Sequence, residues 1–308
     1  MGKPGTVVLW TLGLAVGVIV AAMAWHHLAY LDARRNTLHD LQDVFHPSAA
    51  LHAVLFVKLE PETDLFDAAR ALRGATDAFS GAQTVYVGKA AMNGLPSSQL
   101  TEALGQEVTW DAVALLQFDD RSAYDRWRGD AGVRTVMEGF ATTYAHGMKR
   151  SALANLVLEQ WFLVSRVVQA VTFQPSVLPF EPAPPRSVRV ATDEQRATTM
   201  LEERELGRDA ILVANLLKTG TPEEAAANAQ YSGAMMAVMA RGGHGPMHIG
   251  TAVTLEGDAD FDMVAFVYYP GVQYFHDLTG STFFRDIIGD KQLGDTQATV
   301  TVPILHRL

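Results

Sequence analysis

Hydrophobic positions along this chain fall into three kinds of run, and each predicts a different element. The first kind is unbroken. Residues 6–24 read TVVLWTLGLAVGVIVAAMA with no charge. As a helix this run reaches about 28 Å, close to the roughly 30 Å hydrocarbon core of a bilayer. Trp10 and Trp25 stand near its ends, where indole rings favour the interface. A transmembrane anchor over residues 1–25 is therefore predicted, with a cleaved secretory leader as the competing reading, because Ala22-Met23-Ala24 has the small-x-small form of a cleavage site. Leu28, Leu31, Leu38 and Leu41 then share one helical face, which predicts a helical juxtamembrane segment over 26–47 that His46-Pro47 ends. Lys3 precedes the run and Arg34-Arg35 follow it, so basic residues do not orient it cleanly. A short N-terminus before a first apolar helix is commonly kept in the cytoplasm, so the soluble part is expected outside it.

The second kind consists of short apolar runs alternating with helical periodicity. Residues 52–59 predict a buried strand, and 64–80 a helix through Leu65, Ala68, Ala69, Leu72, Ala75 and Phe79, stopped by Gly81. Residues 83–90 and 110–118 predict two more strands. Asp119-Asp120 open a second helix over 122–146. The pattern returns later in the chain. Residues 210–218 predict a strand, and Thr221-Pro222-Glu223-Glu224 is a helix start with a cap, a first-turn proline and a reciprocal glutamate. Gly242-Gly243 stops that helix, residues 247–256 and 261–269 form a hairpin around Gly257-Asp258, helical pieces follow over 272–288, and 296–304 is a last strand. The expected fold is α+β: an N-terminal transmembrane helix, then tandem ferredoxin-like (β-α-β-β-α-β) domains at 48–150 and 209–308. The two are expected to pair their sheets within the chain, or across a homodimer.

The third kind is a helix over 151–173 with an unusually wide apolar face. Asn155, Glu159, Arg166 and Gln169 make one narrow polar stripe, expected to meet water, headgroups or a partner. Three placements are open: buried between the domains, lying on the bilayer, or spanning it. Trp161 and Phe162 are its candidate membrane contacts, beside Trp10 and Trp25 of the anchor. A proline-rich, then charged, linker over 174–208 follows, helical in part across 186–208.

Tyr231, Gly242-Gly243, Leu255-Glu256-Gly257 and Tyr269-Pro270 make the second domain resemble a branch of the dimeric α/β-barrel superfamily that has no assigned chemistry. His52 and Val85-Tyr86-Val87-Gly88-Lys89 make the first similar to stress-responsive A/B-barrel proteins. The resemblance implies a pocket over the sheet but no particular reaction, since relatives include polyketide cyclases, small monooxygenases, lactone isomerases and haem-binding peroxidases. Cyclases of this type pair a first-strand histidine with a second one after the third strand. His52 matches the first position, whereas Gly129-Asp130-Ala131-Gly132 stands at the second with no histidine.

Composition narrows the chemistry. With 48% hydrophobic and 19% charged residues, the 308-residue chain can bury two cores, and its net charge of −10 argues against nucleic acid as a partner. No cysteine is present, which removes thiolate chemistry and disulfides. No phosphate loop, nucleophile elbow or zinc spacing occurs, and no cofactor is implied. His52, Tyr86 and His248 are the candidate catalytic groups, with His146 behind them; Tyr231, Tyr269 and His276 are candidate ligand contacts. His244, Met247 and His248 form an alternative copper set, supplemented by Met235, Met236 and Met239, although methionine at helical spacing also marks ordinary core packing. The expected function is binding of a small hydrophobic molecule at a membrane, with cofactor-independent oxidation, cyclisation or isomerisation as its possible chemistry. The alternatives are a non-enzymatic scaffold subunit of a membrane complex and a copper-handling protein.

Overall fold

The computed structural model describes residues 4–41, 46–184 and 210–308, with side chains from Trp10 onward. The end of the expected juxtamembrane segment at 42–45 and the charged stretch 186–208 lie outside the described residues. Helix α1, Pro4–Asp32, is continuous and passes into a π-helical turn, Ala33–Thr37. The apolar run and the first part of the predicted juxtamembrane segment are therefore one rod. It ends at Thr37, short of the expected stop at His46-Pro47, because the wide turn swings Leu38 inward with its N–H on the Ala33 carbonyl, 3.2 Å. Leu38 is wholly buried in the core beneath, which contributes about 2 kcal/mol for a leucine.

The chain after α1 folds into a closed barrel rather than two separate sheets. Its first half supplies β1 (Leu51–Leu59), α2 (Leu65–Asp77), β2 (Ala82–Leu95), α3 (Ser98–Leu104), β3 (Ala112–Phe118), α4 (Arg121–Gly129), α5 (Ala131–Glu138) and β4 (Phe140–Lys149). Helix α6, Ala152–Val171, then crosses to the second half. That half supplies β5 (Ile211–Lys218), α7 (Pro222–Gly242), β6 (Gly245–Thr254), β7 (Met263–Tyr269), α8 (Val272–Thr279), α9 (Thr282–Ile287) and β8 (Asp295–Pro303). Around the barrel the order is β1-β3-β2-β8-β5-β7-β6-β4. Each half alone has the ferredoxin-like strand order, and the second strand of each pairs antiparallel with the fourth of the other, β2 with β8 and β4 with β6.

One expectation fails clearly. The helix predicted over 122–146 is two short helices followed by strand β4. Asp130 ends α4 and caps α5, accepting from the N–H groups of Gly132 and Val133, and Gly139 ends α5. Thr142, Thr143 and Tyr144 are β-formers with restricted χ1, and β4 lies between β1 and β6. The fourth strand of the first half is thus here, not in the 151–173 region.

Eight strands make an interior just wide enough for side chains to fill. Val54, Phe56, Tyr86, Leu115, Leu212 and Phe266 fill it, each with at most 1% of its surface exposed. Helices α2, α4 and α5 cover the first half outside, with Leu72, Trp127 and Met137 buried. Helix α7 covers the second half, where Met235 and Met239 pack on Ile211 and Val300. The start of α7 has the expected capping box: Glu224 N–H donates to the Thr221 hydroxyl, and Thr221 N–H to the Glu224 carboxylate.

The β4–β6 seam has no room to spare at Gly147, where an added Cβ would lie 2.7 Å from the Val253 carbonyl oxygen. Gly147→Ala should therefore destabilise the protein by about 1–3 kcal/mol, as overpacking does. Gly289→Ala, which meets open space, should change thermal stability little. Thermal unfolding of the two variants in detergent checks the contrast.

Candidate functional site

The described polar groups with the most unusual surroundings gather at the end of the barrel where β1, β5 and β6 begin. The turn after α1 lies over this mouth. Arg34 and Asp40 form an ion pair at 2.9 Å whose side chains are 2% and 1% exposed. The other Asp40 oxygen accepts from His248 Nε2, and Leu41 N–H donates to the Val85 carbonyl at 3.0 Å. Burial opposes ionisation of Asp40, but His248 and Arg34 together outweigh it and hold the carboxyl below its usual range. Arg150, also buried, donates to the Met247 carbonyl at 3.1 Å, and burial pulls its guanidinium down to about 10, still charged at neutral pH.

Beside this mouth, α1, α6 and the α7–β6 turn enclose a cavity of about 110 Å³. His26, Tyr30, Glu159, Arg166, His244 and Met247 are among its walls. Glu159 is buried, and its carboxylate accepts from His27 Nδ1 at 2.9 Å while its backbone carbonyl accepts from His26 Nε2 at 2.9 Å. His244 donates from Nδ1 to the Tyr268 carbonyl at 3.0 Å, which leaves Nε2 as an acceptor for the Tyr274 hydroxyl at 2.7 Å. Phe162 closes the floor against Gly245, which has φ +150° and no space for a Cβ.

The residues singled out in the sequence are distributed unevenly. His52 and Tyr86 lie inside the barrel, not at an open pocket: His52 Nε2 donates to Gln117 Oε1 at 3.1 Å, and the Tyr86 hydroxyl is bonded to Thr301 at 2.8 Å. His248 also points inward, to Asp40, and its Nδ1 has no hydrogen-bond partner among the described residues. His146 is on β4 rather than a helix and is bonded to the Tyr144 hydroxyl. Tyr269 is buried against His244 and Phe275, Tyr231 is half-buried beside Lys291, and half-buried His276 lies by Asp277. Trp10, Trp25 and Trp161 are exposed, whereas Phe162 turns inward and is buried. The copper set does not converge: both His244 nitrogens are engaged, Met247 is in the core, and among the described residues no three acidic or histidine side chains are arranged to hold a metal. Sequence reasoning missed Tyr30, Arg34, Asp40 and Arg150. Nothing in their spacing marks them, because they meet through turns and across the chain.

No family model matches the sequence, and no curated protein does. Solved structures do. An anthrone oxidase-like protein is 9% identical with a TM-score of 0.46, over 84% of this chain and 92% of its own. A monooxygenase-like protein from Lactobacillus acidophilus is 10% identical at 0.39, over 83% and 94%. A variant of chlorite dismutase from Candidatus Nitrospira defluvii is 8% identical at 0.40, over 84% and 92%. At these identities and scores they bear on neither substrate nor reaction. One helix among the described residues, Trp10–Thr37, is long and apolar enough to cross a membrane, a test that signal sequences also pass.

Two outcomes follow from the buried charges. Asp40→Asn removes the carboxylate from a buried ion pair and should cost about 3–5 kcal/mol, read as a lowered unfolding midpoint in detergent. Burial also pushes His52 down to about 2, and His146, His244 and His248 to about 4. Unfolded, each titrates near about 6.5, so below that pH the unfolded chain binds protons that the fold excludes. Stability is then highest above about pH 6.5 and falls as the pH drops toward the folded values. Burial lowers His46 as well, so His52→Asn should flatten the fall in melting temperature between about pH 6.5 and 5 by roughly a fifth to a quarter.

Proposed function

We propose that this protein is a membrane-tethered binder of a small lipophilic molecule whose polar, ring-sized head enters the cavity between α1, α6 and the start of β6. The carrying observation is the position of that cavity. The uncharged run of α1 ends at Trp25, and His26, the next residue, already lines the cavity wall. A molecule dissolved in the bilayer would meet this opening at the depth where its own polar group resides. At about 110 Å³ it is somewhat smaller than the roughly 150 Å³ apolar cavity that accepts benzene, so one ring is the upper limit of what it takes without widening. Glu159, held by His27, and His244 offer acceptors to a hydroxyl or amide, and Arg166 offers donors to a carbonyl. Where chemistry accompanies binding, His244 is the group placed to take a proton, its Nε2 exchanging the Tyr274 hydroxyl for a ligand donor. His52, Tyr86 and His248 are assigned to supporting the barrel.

Calorimetric titration of the full chain in detergent with a short-tailed benzoquinone tests this. Saturable binding is expected, weakened at least tenfold by Ala29→Phe, which fills the cavity, and unchanged by His52→Asn in the barrel. Absence of saturable binding removes this reading. The filled barrel interior favours a second one, a non-catalytic subunit that docks in a membrane complex. It requires a partner that copurifies in fixed stoichiometry.

A further inference from the structure

Helix α6 is amphipathic in the reverse sense to a helix on a soluble protein. Of its polar stripe Asn155, Glu159 and Gln169 are buried and only Arg166 is exposed, while Leu153, Val157, Trp161, Val164, Val168 and Val171 are 45–69% exposed, and Phe173 just beyond is 90% exposed. These outward positions recur every three or four residues along the whole helix, so they form one continuous apolar stripe. An apolar surface of this extent marks a contact with lipid or protein.

The place where α6 meets α1 decides between these. His26 and His27 touch Glu159, and they directly follow the uncharged run ending at Trp25. If α1 crosses a bilayer, α6 is fixed at the level where the hydrocarbon gives way to headgroups. A helix held there with polar groups against its own protein has only the acyl region to receive its outer face. At its C-terminal end an open cleft of about 420 Å³ is lined by Arg166, Gln169, Phe173, Gln174 and Arg241. Arg241 is oriented by the Gln169 side chain at 3.2 Å and the Gln174 carbonyl at 3.1 Å, and neither arginine has an acidic partner among the described residues.

We propose that α6 is an in-plane membrane helix, its Leu153–Val171 stripe immersed among acyl chains and its Arg166–Arg241 cleft seated on the phosphate of an anionic phospholipid. The barrel then lies on the bilayer instead of hanging from a tether. The inference rests on α1 being embedded, but not on the cavity holding a ligand.

The absence of native cysteine allows single nitroxide labels on the full chain, at Val157→Cys, Val164→Cys and Val168→Cys, with Val16→Cys in α1 and Glu138→Cys on α5 as references. The chain is reconstituted in vesicles of phosphatidylcholine, alone or mixed with phosphatidylglycerol. The α6 labels should collide with oxygen more than with a water-soluble nickel complex, as at Val16, and Glu138 should show the opposite. Adding phosphatidylglycerol should deepen the α6 labels, and Arg166→Gln with Arg241→Gln should abolish that deepening while leaving them lipid-exposed. Nickel-accessible α6 labels beside a lipid-exposed Val16 overturn the inference, as does dipolar broadening between copies, which would make the stripe a dimer interface. A nickel-accessible Val16 overturns the anchor itself, and labels indifferent to phosphatidylglycerol overturn the headgroup cleft. Calorimetry of the cavity ligand is read separately from all of these.

Discussion

A carboxylate taken out of water must be neutralised where it lies, and in this protein that requirement welds the long apolar helix α1 to the barrel. Asp40 is buried between Arg34, one turn past α1, and His248 on β6, 208 residues away in sequence. Arg34 supplies the counter-charge and His248, neutral at neutral pH, a hydrogen bond, so neither the carboxylate nor the guanidinium is buried alone. Their meeting lies where α1 gives way to the turn that sends Leu38 into the barrel end. The cavity owes its walls to the same arrangement, since Tyr30 and Met247 belong to the segments that the ion pair brings together, and the Tyr30 hydroxyl reaches the Met247 carbonyl at 3.4 Å.

The barrel interior behaves differently from the sheet pocket that a ferredoxin-like unit suggests. Closure within one chain puts the two open sheet faces against each other, and Phe56, Tyr86 and Phe266 occupy the shared space. Groups such as His52 then satisfy neighbours instead of solutes, and their imidazoles stay neutral because burial penalises charge. The described cavity lies outside the barrel instead, at the junction of the helices packed around it.

Local chemistry made much of this legible in advance. The Thr221–Glu224 start, the Gly257 hairpin and the Asp120 cap are signals confined to a few residues, and each appears where its sequence places it. Strand β4 was hidden because Val133, Val136 and Met137 carry helical spacing up to its edge, and only Gly139 marks the change. The polar stripe of α6 was visible, yet its direction was not: periodicity reports that a helix has two faces, and only the packing partner decides which is inside. The Arg34–Asp40–His248 cluster left no trace, since burial of a charge is a property of the assembled surroundings.

Joining both halves in one polypeptide has a consequence of its own. In a barrel built from two identical subunits, any side chain altered on one flank is altered on the other, and symmetry forces both flanks to the same task. Here the β2–β8 and β4–β6 seams belong to different sequences. One seam is free to carry α1 and α6 without the other having to carry their copies, so a nearly symmetric frame acquires two unlike sides.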